Sequence, residues 1–113
     1  MPALNIQVHP ERVPSLDLDG VLEIFSSAAE MADAELTISE GADDGPYINY
    51  DFLTGDLPRL WEVLQSQVFA DDVLGPQLAR ATIATCQGSR GWDNYLLLHH
   101  YDRGYELDSL PRV

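Results

Sequence analysis

Aspartates and aromatic residues recur together in segments of this chain that are predicted to be loops or strand ends. Rings supply large contact areas at protein interfaces, and carboxylates pair with a partner's arginine and lysine side chains and speed its approach. Some rings must also fill the core, and Tyr50 and Trp92 are expected there. The pattern predicts a surface that binds a basic protein. Its candidate residues are Asp43, Asp44, Tyr47, Asp71, Asp72, Trp92, Asp93 and Tyr95.

Pro2 is a second candidate for chemistry. If Met1 is removed, the secondary amine of Pro2 becomes terminal at the start of the first predicted strand, where burial would lower its pKa and make it a base. The run PALNIQVHPER, Pro2 to Arg12, resembles the start of the tautomerase superfamily, whose members begin with a catalytic proline on a strand and contain two βαβ units. The resemblance implies that Pro2 acts as base on a small keto acid and that Arg12 binds the substrate.

Histidine, cysteine and glycine give no further catalytic pattern. His99 and His100 are adjacent on a predicted strand, so their side chains point to opposite faces and cannot chelate one ion together. Cys86 has no flanking elbow glycines, and the glycines at 88 and 91 are not followed by a helix that could hold a phosphate. We therefore expect no metal, no cofactor, and neither a triad hydrolase nor a nucleotide enzyme.

Charge narrows the choice of partners. Nineteen Asp and Glu face six basic residues in 113, for a net charge of −13. The field of such a surface opposes nucleic acid and anionic lipid and favours cations and basic proteins, although acidity also gives plain solubility. The N-terminal segment lacks a basic region followed by an apolar run, and the single cysteine, Cys86, cannot form an internal disulfide. These features predict a cytoplasmic protein that binds neither membrane nor nucleic acid.

Hydrophobic periodicity predicts five strands, joined where the sequence carries turn residues. The first helix is expected from Asp17 or Asp19 to about Ala34, and the second opens near Thr54 or Asp56. A break and a short irregular or helical piece follow at 70–80. The strands are expected at 4–8, 35–39, 47–53, 82–86 and 92–101, the last two joined by a five-residue connection. The helices' apolar stripes are Val21, Phe25, Ala28, Ala29 and Ala32, then Leu57, Leu60, Trp61, Leu64 and Val68.

The order β-α-β-β-α-β-β predicts an α+β fold. The sequence contains a weak internal repeat at an offset of 44, in which PALN at 2–5 matches PYIN at 46–49. The repeat coincides with two predicted strand-turn-helix units. The economical architecture is a single domain over 1–113, a ferredoxin-like two-layer sandwich with an extra C-terminal hairpin strand. The segment 102–113 is expected to be a polar turn and a tail that docks loosely or frays.

Size, acidity and the aromatic-acidic surface, including GWDNY at 91–95, resemble those of the immunity proteins that bacteria make against toxins. The resemblance is one of type, and it implies a protein that occludes the basic active site of a partner. The tautomerase-like enzyme remains the alternative. A third reading is a ligand-binding or homo-oligomeric module that uses the sheet face left open by the helices, lined by Asn5, Gln7, Asn49 and Asp51.

Overall fold

The computed structural model describes residues 2–43, 45–88 and 90–110. The helices are α1 (Leu18–Met31), α2 (Leu57–Leu64) and α3 (Leu74–Ala79); a 3-10 turn spans Pro10–Arg12, and a π-helical turn at Gln65–Phe69 extends α2. The strands are β1 (Ala3–Val8), β2 (Glu35–Ala42), β3 (Pro46–Leu53), β4 (Thr82–Gly88) and β5 (Gly91–His100). The predicted α+β class is confirmed.

The strands form one antiparallel sheet in the order β2-β3-β1-β4-β5. This order is not that of a four-stranded ferredoxin-like sheet, because β5 adds a strand beyond β4. The helices pack on one face, and together with the sheet they make two layers. No described helix covers the other face.

Strict alternation along β1 explains the two faces. Leu4, Ile6 and Val8 have no exposed surface and point to the helices, while Asn5 and Gln7 are half-buried on the opposite side. The predicted stripe of α1 is buried throughout, and its Phe25 packs against the rings of two β3 residues, Tyr50 at 4.7 Å and Phe52 at 5.9 Å between centroids. The core lies where the periodicity placed it.

The first helix ends three residues earlier than its predicted end at about Ala34. Asp17 caps its start by accepting the Gly20 N–H at 3.1 Å. At its other end Asp33 takes a left-handed conformation, with φ of 54°, and the Ala34 N–H returns to the Ala29 carbonyl at 2.8 Å. That closure is the usual way to stop a helix, and it lets β2 start at Glu35.

The β4–β5 connection is shorter than the predicted five residues. Gly88 pairs with Gly91, so both strands extend into the predicted loop. Gly91 has a φ of 67°, a backbone conformation that glycine adopts without strain. The prediction failed because strand pairing across the glycines depends on the partner strand and leaves no periodic signal in the sequence.

The described part of the predicted tail runs back along the free edge of β5. Asp108 forms two hydrogen bonds with the backbone of Leu97: its N–H donates to the carbonyl at 2.7 Å, and its Oδ2 accepts from the N–H at 2.8 Å. Leu110 packs against the core. Residues 111–113 of the predicted tail lie outside the described residues.

Candidate functional site

A cleft of about 380 Å³ lies on the open face where β4, β5 and the returning tail meet. Its floor is formed by Ile83, Thr85 and Leu97, which face one another across the two strands. Aromatic side chains and an imidazole make its walls. The lining residues are Ile83, Thr85, Trp92, Tyr95, Leu97, His100 and Tyr105.

Two bulges in β5 shape this cleft. Between the pairs Cys86↔Leu96 and Gly88↔Gly91, β4 has one residue and β5 has four, 92–95. Strict alternation would send Trp92 and Tyr95 to opposite faces, and the extra residues let both rings line the same cleft. Leu98 is the extra residue of a second bulge and is buried on the helix side.

Three of the rings are unusually exposed for aromatic residues. Trp92 is 45% exposed, Tyr95 56% and Tyr105 55%. Trp92 therefore does not pack in the core as expected, whereas Tyr50 does, with 2% exposed. The bulge explains the difference, because it lifts Trp92 out of the regular ladder. A cluster of exposed rings around an apolar floor is the kind of surface that marks a binding site.

A tight turn after β5 holds Tyr105 in the cleft wall. The Asp102 N–H donates to Nδ1 of His100 at 2.9 Å, and Asp102 Oδ1 accepts from the Gly104 N–H at 2.9 Å. The Tyr105 ring stacks on the imidazole of His100, with centroids 3.9 Å apart and planes inclined by 15°. Since Nδ1 accepts a hydrogen bond, the neutral imidazole carries its proton on Nε2.

The pKa of His100 is lowered from its ordinary value. Burial is the main cause, and the positive charge of Arg12 and the neighbouring His99 act in the same direction, while Asp102 opposes them. The imidazole is therefore uncharged at neutral pH. The described lining of the cleft therefore carries no full charge at neutral pH.

Beside the cleft, Tyr101 is the centre of a second aromatic group. The Arg12 guanidinium lies 3.7 Å from the centroid of the Tyr101 ring, and its Nε donates to the Arg80 carbonyl at 2.9 Å. His9 packs on Tyr101 at 5.5 Å, and burial, with Arg12 and His100 nearby, lowers the pKa of His9. This arginine is thus held against a ring by cation–π attraction.

A row of hydrogen-bonded polar side chains crosses the open face from this group. His9 Nε2 and Gln7 Oε1 are 2.8 Å apart, and the Gln7 amide donates to Asn49 Oδ1 at 3.3 Å. The Asn5 amide donates to Asn49 Oδ1 at 3.3 Å and to Asp51 Oδ1 at 2.8 Å. The four polar residues predicted for the open face therefore bind one another, which fixes their orientation.

The predicted partner-binding residues fall into three groups. Trp92, Asp93 and Tyr95 lie together on β5, and all three are exposed. Asp43 lies in the β2–β3 turn. The half-buried Tyr47, on β3, packs beside His9 with ring centroids 6.2 Å apart, and His9 in turn packs on Tyr101. Asp44 lies outside the described residues.

The acidic pair Asp71 and Asp72 is in the helix layer. Asp71 Oδ2 accepts the N–H groups of Val73 at 3.1 Å and Leu74 at 2.8 Å, which makes it the cap of the turn before α3. Asp72 is exposed. The helix layer and the open face are on opposite sides of the sheet, so this pair does not join the cleft.

Pro2 and Arg12 are placed at opposite ends of β1. Pro2 is exposed, and its carbonyl accepts the Thr54 N–H at 3.1 Å. It lines a separate cleft of about 680 Å³ between the start of α2 and the β4–β5 hairpin. The six residues of β1 separate Pro2 from the turn that carries Arg12, about 20 Å at the usual rise of a strand. The structure does not bring the two side chains together.

Burial and side-chain direction limit the chemistry that the histidines of β5 and Cys86 could perform. His99 faces the helices, where its Nε2 lies 2.9 Å from the Ala79 carbonyl, while His100 lines the open-face cleft. Burial, with a contribution from Asp108, raises the pKa of the Cys86 thiol to about 11. Within the described ranges, no group of three or more His, Cys, Asp or Glu could hold a metal ion.

Several lining residues were not predicted from the sequence. Tyr105 belongs to a segment assigned as polar tail, and only its return along β5 places it in the wall. The sequence indicates His100 only as a possible metal ligand. Thr85 and Ile83 were assigned to β4, and their position opposite Asn5 and Gln7 follows from the strand order. Residue type alone gave no signal for any of them.

Comparison with protein-family models, curated proteins and solved structures found no match for this chain. None of its described helices is long and apolar enough to cross a membrane. Function must therefore be inferred from the site itself.

Proposed function

We propose that this chain is a small acidic protein-binding domain that inhibits a basic partner by covering its active site, in the manner of an immunity protein against a toxin. The observation that carries the proposal is the cluster of exposed rings around the open-face cleft, formed by Trp92, Tyr95 and Tyr105. Tryptophan and tyrosine dominate binding energy at protein interfaces because they bury large areas at a small cost in conformational entropy.

Charge supports the choice of a basic partner. The unit of β5 and tail over 90–110 carries four acids and two arginines, in a chain of net charge −13. The acids Asp93, Asp102, Glu106 and Asp108 border the rings along the sequence. Carboxylates around an aromatic centre give the arrangement of polar rim and apolar core that interfaces use, and their field attracts a basic cleft.

We also propose that the fold is a ferredoxin-like sandwich extended by one strand. Read from β4, the first four strands have the order β4-β1-β3-β2, and each helical connection lies on the same face. The fifth strand supplies most of the proposed binding surface. A reduced, buried Cys86 supports placing the protein in the cytoplasm.

The test is capture of a partner from a lysate of the native cells, followed by kinetics with the purified partner. We expect binding at low salt that weakens at high salt, an association rate that falls as salt is added, and loss of the partner's activity on binding. The double change Trp92→Ala with Asp93→Asn should weaken binding about tenfold or more.

The matched control is Leu22→Ala with Glu23→Gln on α1, which also removes one exposed apolar side chain and one carboxylate. Leu22 is 41% exposed, close to the 45% of Trp92. Binding should be unchanged in this control. An association rate that does not respond to salt would contradict the proposal.

The tautomerase-like enzyme stays the second candidate because Pro2 lines the larger cleft. None of the residues lining that cleft is basic, so the substrate's carboxylate would have to bind backbone N–H groups or the amides of Gln87 and Asn94. Pro2→Ala should then abolish keto-enol turnover and leave the folded state intact. Turnover that survives Pro2→Ala rules this candidate out.

A further inference from the structure

We propose that the open-face cleft is a pocket for a single arginine side chain of the partner, with the guanidinium held against the rings of Trp92, Tyr95 and Tyr105. This inference rests on the proposed function and specifies its chemistry. It specifies one kind of cation at one place, whereas the general acidity of the surface would attract any cation.

The lining of the cleft selects the sign of the ligand's charge. Among the seven lining residues there is no arginine or lysine, and His100 is uncharged at neutral pH. A carboxylate or phosphate would lose its hydration here and gain no ion pair, which is costly. A cation over a ring face is attracted by the ring's quadrupole, and the attraction grows when water is excluded.

Two acidic residues contact residues that line the cleft. Asp108 is bound to the backbone N–H of Leu97, a floor residue, and Asp102 to the imidazole of His100 through its own N–H. The Leu97 N–H holds the carboxylate of Asp108, and the Gly104 N–H holds the carboxylate of Asp102. They favour a positive charge in the cleft without occupying it.

Planarity favours arginine over lysine. A guanidinium is flat, weakly hydrated and able to stack between rings, whereas an ammonium holds its water strongly. The protein already contains this interaction beside the cleft, where Arg12 lies 3.7 Å from the Tyr101 ring centroid. Arg12 itself is engaged by Tyr101 and the Arg80 carbonyl and does not line the cleft.

The test uses short glycine-flanked peptides with blocked ends that carry one arginine, one lysine or one citrulline, titrated at low salt and followed by NMR. Citrulline keeps the shape of arginine and removes the charge. We expect saturable shifts at the Trp92 indole N–H and the amides of Thr85 and Leu97, several-fold tighter binding of arginine than of lysine, and no binding of citrulline.

Variants locate the site. Trp92→Ala should weaken binding of the arginine peptide about fivefold, while Trp61→Phe, a change at the tryptophan of the helix layer, should leave it unchanged. Equal binding of arginine and lysine with shifts centred on Asp72 or the β2–β3 turn would overturn the pocket and leave the proposed acidic interface standing. No shifts with any peptide would overturn the pocket too, and salt-dependent capture of the partner would then decide the proposed function by itself.

Discussion

The imidazole of His100 stacks on the ring of Tyr105, 3.9 Å away between centroids, while its Nδ1 accepts the N–H of Asp102. Protonation of Nδ1 would replace that acceptor with a donor and break the hydrogen bond. The turn that holds Tyr105 in the cleft wall is thus linked to the charge of one histidine.

Acid should therefore loosen this turn. The pKa of His100 is lowered in the folded protein from 6.5, mainly by burial, so the folded state binds fewer protons than the unfolded state below that value. The stabilisation is fully present above pH 6.5 and is lost as the pH falls through the lower folded pKa. His9 acts with the same sign.

The measurement is urea unfolding at pH 7.5 and 5, with NMR titration of the His100 ring and the Tyr105 ring protons. The NMR signals of both rings should change together, at a single pKa below 6.5 that belongs to His100. His100→Asn, whose side-chain oxygen can still accept the Asp102 N–H, should remove most of the pH response that is read at Tyr105. A Tyr105 signal that ignores the His100 titration would contradict the link.

Asp71 and Asp72 should differ in their effect on stability, although the sequence treats them as a pair. Asp71→Ala removes the acceptor for the Val73 and Leu74 N–H groups and should cost about 1 kcal/mol in the free energy of unfolding. Asp72→Ala is the matched control and should change stability by less than about 0.5 kcal/mol. Equal effects in denaturant unfolding would show that the cap does not contribute.

Gly75 should not tolerate a side chain. A Cβ there would collide with the backbone carbonyl of Phe69, at the point where the π-helical turn meets α3. Gly75→Ala should lower the free energy of unfolding by about 1–3 kcal/mol. Gly55→Ala, where a Cβ meets nothing within 4 Å, is the control and should be neutral or slightly stabilising. Thermal unfolding of the two variants gives the comparison.

Local periodicity was enough to predict the parts of the fold that depend on neighbours in sequence. The alternation of Leu4, Ile6 and Val8 and the stripe of α1 follow from burial of one face, so both were read correctly. The cap role of Asp71 could also have been read, because it stands three residues before the first residue of α3. The strand and the helix stripe repeat with a period that the sequence displays, and the cap stands at a short, fixed distance before its helix.

The site itself depends on strand pairing and was only half predicted. Trp92 and Tyr95 were chosen by residue type, but their shared cleft results from a bulge whose register is set by Gly88 and Gly91 across the hairpin. Tyr105 reaches the same cleft because Asp108 ties the tail to β5. Those contacts join residues by tertiary structure, and a periodicity argument cannot detect them.

The tie between Asp108 and Leu97 should control both the edge of β5 and the cleft wall. Asp108→Ala removes the carboxylate that accepts the Leu97 N–H at 2.8 Å, an edge group that would otherwise face water. A hydrogen bond to a charged acceptor contributes about 1.5–3 kcal/mol, so exchange of the Leu97 amide should become about tenfold faster or more. The control is Glu106→Ala, at an exposed acid of the same tail, and it should leave the exchange rate of the Leu97 amide unchanged.

If the arginine pocket is correct, Asp108→Ala should also weaken binding of the arginine peptide, because one carboxylate near the cleft is lost and residue 108 keeps only its backbone bond to Leu97. Hydrogen exchange and peptide titration on the same two variants test both consequences, and unchanged Leu97 exchange in Asp108→Ala would contradict the tie.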